Sequence, residues 1–495
     1  MTRHAREALT LADIADLVSV RDADRGVRIT SLSLDSRKAG PGSLFAALPG
    51  SKVDGLQFAR GAVQNGAVAV LCDEASADAA PADAAVVSSA NPRRALALVA
   101  GRFYRQRPRD IVAVTGTNGK TSVAAFTQQL WAAAGIRAAT IGTLGITHPD
   151  GSVTPSLTTP DTITLHESLA ELADAGVDAV ALEASSHGLA QHRLDGLSLK
   201  AAAFTNLTRD HLDYHQSMEA YRAAKMRIFD LLEPSARAVV DADGEGASTV
   251  LGELRERRVP HISTGRNGRD IVLEDTRVAD LSQVLKVRAF DESFELDLPL
   301  AGAFQASNAL VAAGLAITSG VPVNTALQAI EALKGAPGRL ELVGTVPSGG
   351  RVFVDYSHTP ASLTTALATL RPYSSGRLIV LGGAGGDRDP GKRPLMGEAM
   401  AKGADMVIVT DDNPRSEDPA EIRRAILEGC PDAAEIADRG AAIAEGVRML
   451  GAGDVLLVAG KGHETGQTIG DVTLPFSDHE AVRAAVAALS KRETP

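Results

Sequence analysis

Four apolar runs in the middle of the chain, "DIVAVTG" (110–116), "DAVALEAS" (178–185), "KAAAFTN" (200–206) and "ARAVVDAD" (236–243), show no polar alternation. Strands of a parallel sheet, buried on both faces, read this way. Between them lie "KTSVAAFTQQLWAAAG", "LHESLAELADAG" and "MEAYRAAKMRIFDLL", whose apolar residues recur every three or four positions and predict amphipathic helices. Strand and helix therefore alternate as right-handed βαβ units, with ligands expected at the C-terminal strand ends. "VLKVRAF" and "SFELDLPL" alternate more strictly and predict an antiparallel flank.

Two further blocks flank this one. Up to residue 90, short strand-like runs such as "ITSLSLDS", "AVAVLC" and "AAVVSS" surround one helix-like stretch, "LQFARGAVQNG". From residue 338, "RVFVDYS", "RLIVLGG", "DMVIVTD" and "DVLLVAG" are each followed by a helical pattern. The pattern predicts an α/β protein of three domains, 1–90, 91–337 and 338–495: a small α/β module, a central domain with a mostly parallel sheet, and a second doubly wound domain of Rossmann type. An active site in the cleft between the last two is expected.

Length agrees, since 495 residues exceed what a single core usually serves. A net charge of -11 with dispersed Lys and Arg argues against nucleic-acid or membrane-surface binding, so an anionic ligand needs local basic loops. The amphipathic start "MTRHAREALTLADIADL" is unlike a signal peptide, and no run approaches the roughly 20 apolar residues of a membrane span. A soluble, cytoplasmic protein is expected. Two isolated cysteines, Cys72 and Cys430, make neither a disulfide framework nor a zinc site.

The chemistry concentrates at predicted strand ends. "VTGTNGKTS" (114–122) joins strand to helix. Its successive N–H groups and Lys120 suit a polyphosphate, and the Thr121 hydroxyl suits a magnesium ion, although Val114 stands where the usual P-loop has its first glycine. Glu183 closes the strand of "ALEASSHG" and is a candidate magnesium ligand. "TNLTRDHLDYH" offers His211 as the better of its two histidines. Lys225 falls on the apolar stripe Met218, Tyr221, Lys225, Ile228, Leu232. Either its stem snorkels, or its amine is desolvated and neutral enough to add carbon dioxide as a metal-binding carbamate.

"GGAGGDRDPGKRP" sets Arg388, Lys392 and Arg393 in a Gly-rich loop that suits a phosphate or a carboxylate. "VDYSHTP" and "VAGKGHETGQ" bring Asp355, His358, Lys461, His463 and Glu464 to the same rim. In "VTDDNPRSEDP" (409–419), Asp418 and Pro419 are a helix cap and a first helical turn, leaving Asp412, Asn413 and Arg415 unexplained by local structure.

Taken in order, "DSRKAGPGSLF", "VTGTNGKTS", "TTPDTITL", "EASSHGL", "TNLTRDHLDYH" with "AYRAAK", "LAGAFQASN", "VDYSHTP", "GGDRDPGKRP", "DNPR", "GKGHE" and "FSDHEAV" resemble the ordered motifs of the Mur ligases, across nearly the whole chain. The resemblance is to the branch that adds meso-2,6-diaminopimelate. It implies ATP-dependent amide formation on the D-Glu γ-carboxylate of UDP-N-acetylmuramoyl-L-Ala-D-Glu, in peptidoglycan precursor synthesis, with Mg2+ and by a monomer. It assigns Lys120, Glu183, His211 and a carbamylated Lys225 to catalysis, and Thr121, Glu183, His211 and Lys225 to metal. ATP would be held by Gly116, Thr117, Asn118, Gly119, Lys120, Thr121, Ser122, Asn308, Arg339, Asp355, His358 and Lys392. Ser36, Thr158, Thr159, Ser185, Gln191 and Arg193 would contact the UDP-muramoyl dipeptide. Arg388, Asp412, Asn413, Arg415, Gly460 and Glu464 would hold diaminopimelate, with Arg415 on its distal carboxylate.

The sequence departs from the family at Gln305 and Asp241, where Asn is common, at Gly383 and Ala384, where Cys-Gly is common, and at Gly466, where an aromatic is frequent. The competing readings are a lysine-adding ligase, a folylpolyglutamate synthetase, and a P-loop ATPase or nucleotide-binding module that ligates nothing. Lysine would leave Arg415 unpaired, and "DSRKAGPGSLF" argues against the synthetase.

Overall fold

The computed structural model describes residues 8–50 and 53–492. The apolar runs become the strands Asp110–Thr115, Ala179–Glu183, Leu199–Phe204 and Leu232–Asp241. Their sheet runs Val153–Thr154, Gly145–Thr147, Ala138–Gly142, Ala179–Glu183, Asp110–Thr115, Leu199–Phe204, Leu232–Asp241, His261–Gly265, and is parallel from the third strand to the eighth. Every residue of Asp110–Thr115 and of Ala179–Glu183 is buried, which is why these runs carry no alternation. The antiparallel pair at the sheet edge, Gly145–Thr147 and Val153–Thr154, had no sequence signal beyond its turn residues.

The predicted helices form at Lys120–Ala133, Thr162–Asp174 and Met218–Met226. The last is shorter than the pattern through Leu232 suggests. The chain tightens to 3-10 geometry at Arg227–Leu231, where the Arg227 guanidinium is anchored to the Leu189 carbonyl and to Asp195.

Two other sheets carry the flanking blocks. Near the N-terminus the order is Ser19–Val20, Ala85–Ser89, Ala67–Asp73, Ser43–Ala46, Ser31–Ser33, with only the first strand antiparallel. In the C-terminal block it is Glu341–Thr345, Arg351–Asp355, Val455–Ala459, Leu378–Gly382, Met406–Val409, Ala434–Glu435, again parallel after the first strand. The alternating flank forms the neighbouring strands Ser282–Ala289 and Glu292–Leu298.

The chain divides into two compact units. The first holds residues 1–273, 288–292 and 310–329, and the second 274–287, 293–309 and 330–495. Both are α/β. No helix among the described residues is long and apolar enough to cross a membrane.

Asp241 closes its strand in a buried position, where burial pushes its carboxyl up from 3.8 to about 6. Its Oδ1 accepts the Asp243 N–H at 3.1 Å. The folded chain therefore keeps a proton that the unfolded chain releases, and stability is lost as pH rises from 3.8 to about 6. Above that window the ionised carboxylate costs at most roughly 3 kcal/mol. Asp241→Asn keeps the acceptor without the charge. Thermal melts should show it more stable than the parent at pH 8 and equal to it at pH 4; an equal effect at both would place its origin elsewhere.

Candidate active site

The strand Asp110–Thr115 ends in the Gly-rich turn, and the helix Lys120–Ala133 begins directly after it. Gly119 has a φ of 89°, and a Cβ on Gly116 (φ 149°) would lie 1.9 Å from Thr205 Oγ1. The Thr117 N–H donates to the Asn206 carbonyl at 2.9 Å and the Asn118 N–H to Asn206 Oδ1 at 3.0 Å, so the neighbouring strand end braces the turn. Lys120 Nζ lies over the loop, donating at 2.9 Å to the carbonyls of Gly116 and of Thr117. Thr121 and Ser122 follow, buried in the first helical turn.

Lys225 shares the Gly116 carbonyl, its Nζ donating at 2.7 Å, and is 1% exposed. Its Nζ also sits 4.5 Å from the Tyr221 ring centroid. The amine does not snorkel. Burial, reinforced by the Lys120 charge, drives its pKa well below the usual lysine value.

Glu183 is buried, and its three hydrogen-bond partners are neutral. Thr143 N donates to Oε1 at 2.8 Å; Thr143 Oγ1 and Thr121 Oγ1 donate to Oε2 at 3.0 and 3.1 Å. A buried carboxylate held by hydroxyls beside a phosphate-type loop suits a hard cation such as Mg2+. Thr143 had no sequence signal, because it enters from the turn after Ala138–Gly142. Neither did Gly142, where a Cβ would lie 2.2 Å from Glu183 Oε1.

Five predicted dipeptide contacts form one hydrogen-bonded network with Glu183 and Thr143. Thr158 Oγ1 is 3.1 Å from Thr143 Oγ1, Thr159 Oγ1 donates to the Glu183 carbonyl at 2.7 Å, and the Ser185 N–H donates back to Thr159 Oγ1 at 3.0 Å. Arg193 donates to the Thr159 carbonyl at 2.6 Å and to Gln191 Oε1 at 2.8 Å. Ser36 stands in the N-terminal sheet region, its carbonyl accepting from Asn65 Nδ2 at 2.9 Å.

His211, left-handed at φ 51°, belongs to an aromatic cluster: its ring lies 4.9 Å from His187 and 6.3 Å from Tyr221, centroid to centroid. Of the predicted metal ligands, the structure hydrogen-bonds Thr121 to Glu183 and sets both Lys225 and His211 against the Tyr221 ring. Among the described residues no three His, Cys, Asp or Glu side chains form a preformed cage for a metal.

In the second unit, Arg339 stacks over Tyr356 at 4.9 Å, and Asp355 Oδ2 accepts the Leu340 N–H at 2.7 Å. His358 is exposed, and Lys392 Nζ donates to its carbonyl at 3.0 Å; burial lowers the Lys392 pKa. Asn308 is buried in the helix Ala303–Thr318, and the nearby Gln305 Oε1 is buried without a hydrogen-bond partner.

The "DNPR" loop follows Met406–Val409 and joins a cluster of charged side chains. Lys461, fully buried, donates to Glu464 Oε2 at 3.0 Å, Asn413 Oδ1 at 3.2 Å and the Gly466 carbonyl at 2.6 Å. Asn413 Nδ2 donates to the same Glu464 oxygen at 2.9 Å. Asp412 lies 4.0 Å from Lys461 Nζ, and burial raises its pKa against the opposing pull of Arg439 and Lys461. Gly460 (φ 114°) admits no side chain, since a Cβ would stand 2.7 Å from Asp412 Oδ2. Arg415, also left-handed at φ 51°, is half-buried and donates to the Gly386 carbonyl at 2.7 Å, while Arg388 is exposed. Lys461 is the important residue sequence reading left without a role: a GKGHE lysine looks like a surface loop cation, and its burial depends on residues 48 positions away.

A phosphate-type loop in one α/β unit and a cluster of both charge signs in the other are the equipment of an ATP-dependent ligase. Family models match three segments: the Mur ligase family, catalytic domain over 28–104, the Mur ligase middle domain over 114–316, and the Mur ligase, glutamate ligase domain over 338–462. The chain belongs to the Mur ligase family. It is 53% identical over 464 residues to the UDP-N-acetylmuramoyl-L-alanyl-D-glutamate--2,6-diaminopimelate ligase of Agrobacterium fabrum, covering 94% of each chain. To the enzyme of the same name from Mesorhizobium japonicum it is 52% identical, over 97% of this chain and 99% of the relative. A solved structure of such a ligase superposes with a TM-score of 0.72 at 33% identity, covering 98% of this chain and 100% of the other. A folylpolyglutamate synthase from Mycobacterium tuberculosis shares the fold alone, at 21% identity and a TM-score of 0.61 over 74% of this chain and 92% of its own.

The contact at Gly142 gives a test. Gly142→Ala must displace the Glu183 carboxylate, and turnover should fall at least ~10-fold with little change in thermal stability. Unchanged phosphate release would remove Glu183 from the reaction.

Proposed function

We infer that the chain is an ATP-dependent amide ligase that joins meso-2,6-diaminopimelate to the D-Glu γ-carboxylate of UDP-N-acetylmuramoyl-L-Ala-D-Glu through an acyl phosphate, in peptidoglycan precursor synthesis. The observation that carries the amino-acid assignment is the two-signed charge cluster: a zwitterionic end needs acceptors for its ammonium and a donor for its carboxylate. Asp412 and Glu464 supply the first, with one positive charge from Lys461 between them, and Arg415 supplies the second. A ligand ammonium would favour the ionised form of Asp412, which burial alone disfavours.

The first unit supports the phosphate chemistry. The loop Gly116 to Ser122, through the N–H groups of Gly119 to Ser122 and the Lys120 ammonium, would hold the ATP phosphates and offset their repulsion with the incoming carboxylate. Mg2+, with Thr121, Glu183 and His211 as proposed protein ligands, would supply further charge neutralisation. The γ-carboxylate oxygen attacks the γ-phosphorus and ADP leaves. The free amine then attacks the acyl carbon, loses a proton, and expels phosphate as the amide forms. Thr158, Thr159, Ser185, Gln191 and Arg193, with Ser36 on the uridine side, orient the muramoyl peptide. Asn308, Arg339, Asp355, His358 and Lys392 attend the nucleotide, and Arg388, Asn413 and Gly460 complete the diaminopimelate pocket. A desolvated Lys225 amine can add carbon dioxide, releasing one proton to form a carbamate. Domains at 1–90, 91–337 and 338–495, a monomeric state and a cytoplasmic location, where ATP and nucleotide-linked precursors meet, complete the reading.

Arg415→Ala should raise the KM for diaminopimelate ~100-fold, the cost of a lost charge-assisted pair, and that for ATP less than ~3-fold. Equal increases in both would take Arg415 out of the amino-acid pocket. Lys225→Ala should abolish turnover, with partial recovery in short carboxylates; recovery in chloride of equal ionic strength as well would contradict the carbamate.

A further inference from the structure

One motif has no part in the assignments above. "FSDHE" opens the C-terminal helix Asp478–Arg492, and none of its residues is among the contacts proposed for substrates. Its first two helical residues are both held by charged groups of other elements, and the two lines of contact run in different directions.

Asp478 forms a two-pronged pair with Arg439, Nε to Oδ1 and Nη2 to Oδ2, each at 2.7 Å, with both side chains 0% exposed. Arg439 spends its remaining donors on the amino-acid side. Nη2 reaches the Ala459 carbonyl at 2.9 Å, directly before Gly460, and Nη1 lies 3.4 Å from the Asp411 carbonyl, directly before Asp412. A buried guanidinium of this kind fixes the two backbone strands whose ends form the pocket, and its orientation depends on the Asp478 fork.

His479 turns the other way. Its Nε2 is 2.6 Å from Glu341 Oε2, and the same oxygen accepts the Gly338 N–H at 2.8 Å. Gly338 has a φ of 66°, and a Cβ there would stand 2.4 Å from the backbone nitrogen of His463. Its carbonyl accepts the Tyr356 N–H at 2.9 Å. Gly338 thus sets the turn that delivers Arg339 to the Tyr356 ring. The anchoring is nonlocal, since 138 residues separate His479 from Glu341.

We propose that Asp478 and His479 are a positioning pair, one bracing the diaminopimelate pocket through Arg439 and the other bracing the nucleotide-side Arg339 turn through Glu341. The inference rests on the ligase reading. Neither residue is placed on a substrate, so each acts through its partner.

Steady-state kinetics of the full chain separate the two arms. His479→Ala should raise the KM for ATP ~10-fold, about the worth of one hydrogen bond to a charged group, and leave that for diaminopimelate within ~2-fold. His479→Gln, which keeps a donor at the same reach, should restore the parent KM. His479→Ala in a Glu341→Ala background should add nothing. Asp478→Asn should show the opposite split, raising the KM for diaminopimelate. Equal effects on both substrates, or no rescue by glutamine, would make the pair purely structural and overturn the proposal. If Asp478→Asn does not fold, the His479 series alone decides it. Absence of tripeptide product from the unaltered protein would instead refute the ligase reading.

Discussion

The hydrogen bond from Lys225 Nζ to the Gly116 carbonyl constrains the rest of the first unit. It ties the helix Met218–Met226 to the phosphate-type loop, and a lysine this deeply buried persists only where acceptors and a π face replace water. The same carbonyl receives Lys120, so two amines converge on one oxygen at the mouth of the loop. Their mutual repulsion and the lack of solvent favour a neutral Lys225, the state that carbamate formation requires. Glu183 shows the complementary device, a carboxylate buried among hydroxyls and an N–H rather than against a cation.

The second unit solves a different electrostatic problem. Lys461, Arg439, Asp412, Asp478 and Glu464 lie in one cluster, four of them nearly or fully buried, and charges so placed are tolerated only when mutually paired. Arg439 and Asp478 neutralise each other. Lys461 then faces two carboxyl groups, and the ammonium of the proposed ligand would be balanced by the second once Asp412 is ionised. The half-buried Arg415, set by its left-handed backbone, provides the opposite sign at the same loop. Selectivity on this account arises from charge placement more than from shape.

Much of this was legible in the chain. The parallel strands read as unbroken apolar runs because neither face meets water, and Gly116 to Ser122 read as a phosphate loop because strand, glycines and lysine stand in order. Lys225 read correctly as a lysine on an apolar stripe, although the stripe overran the helix end at Met226. What stayed hidden is nonlocal. Thr143 reaches Glu183 across 40 residues, Lys461 is buried by Asn413 and Glu464, and His479 meets Glu341 only in the folded chain. Each is a polar residue in a loop or at a helix start, where sequence alone gives no sign of a distant partner.

The most direct measurement is phosphate release from ATP by the purified protein with UDP-N-acetylmuramoyl-L-Ala-D-Glu, comparing meso-diaminopimelate with L-lysine and weighing the product by mass spectrometry. The charge-placement account predicts release and a tripeptide product with diaminopimelate and neither with lysine. Equal or better use of lysine, or release that needs no muramoyl peptide, would contradict it.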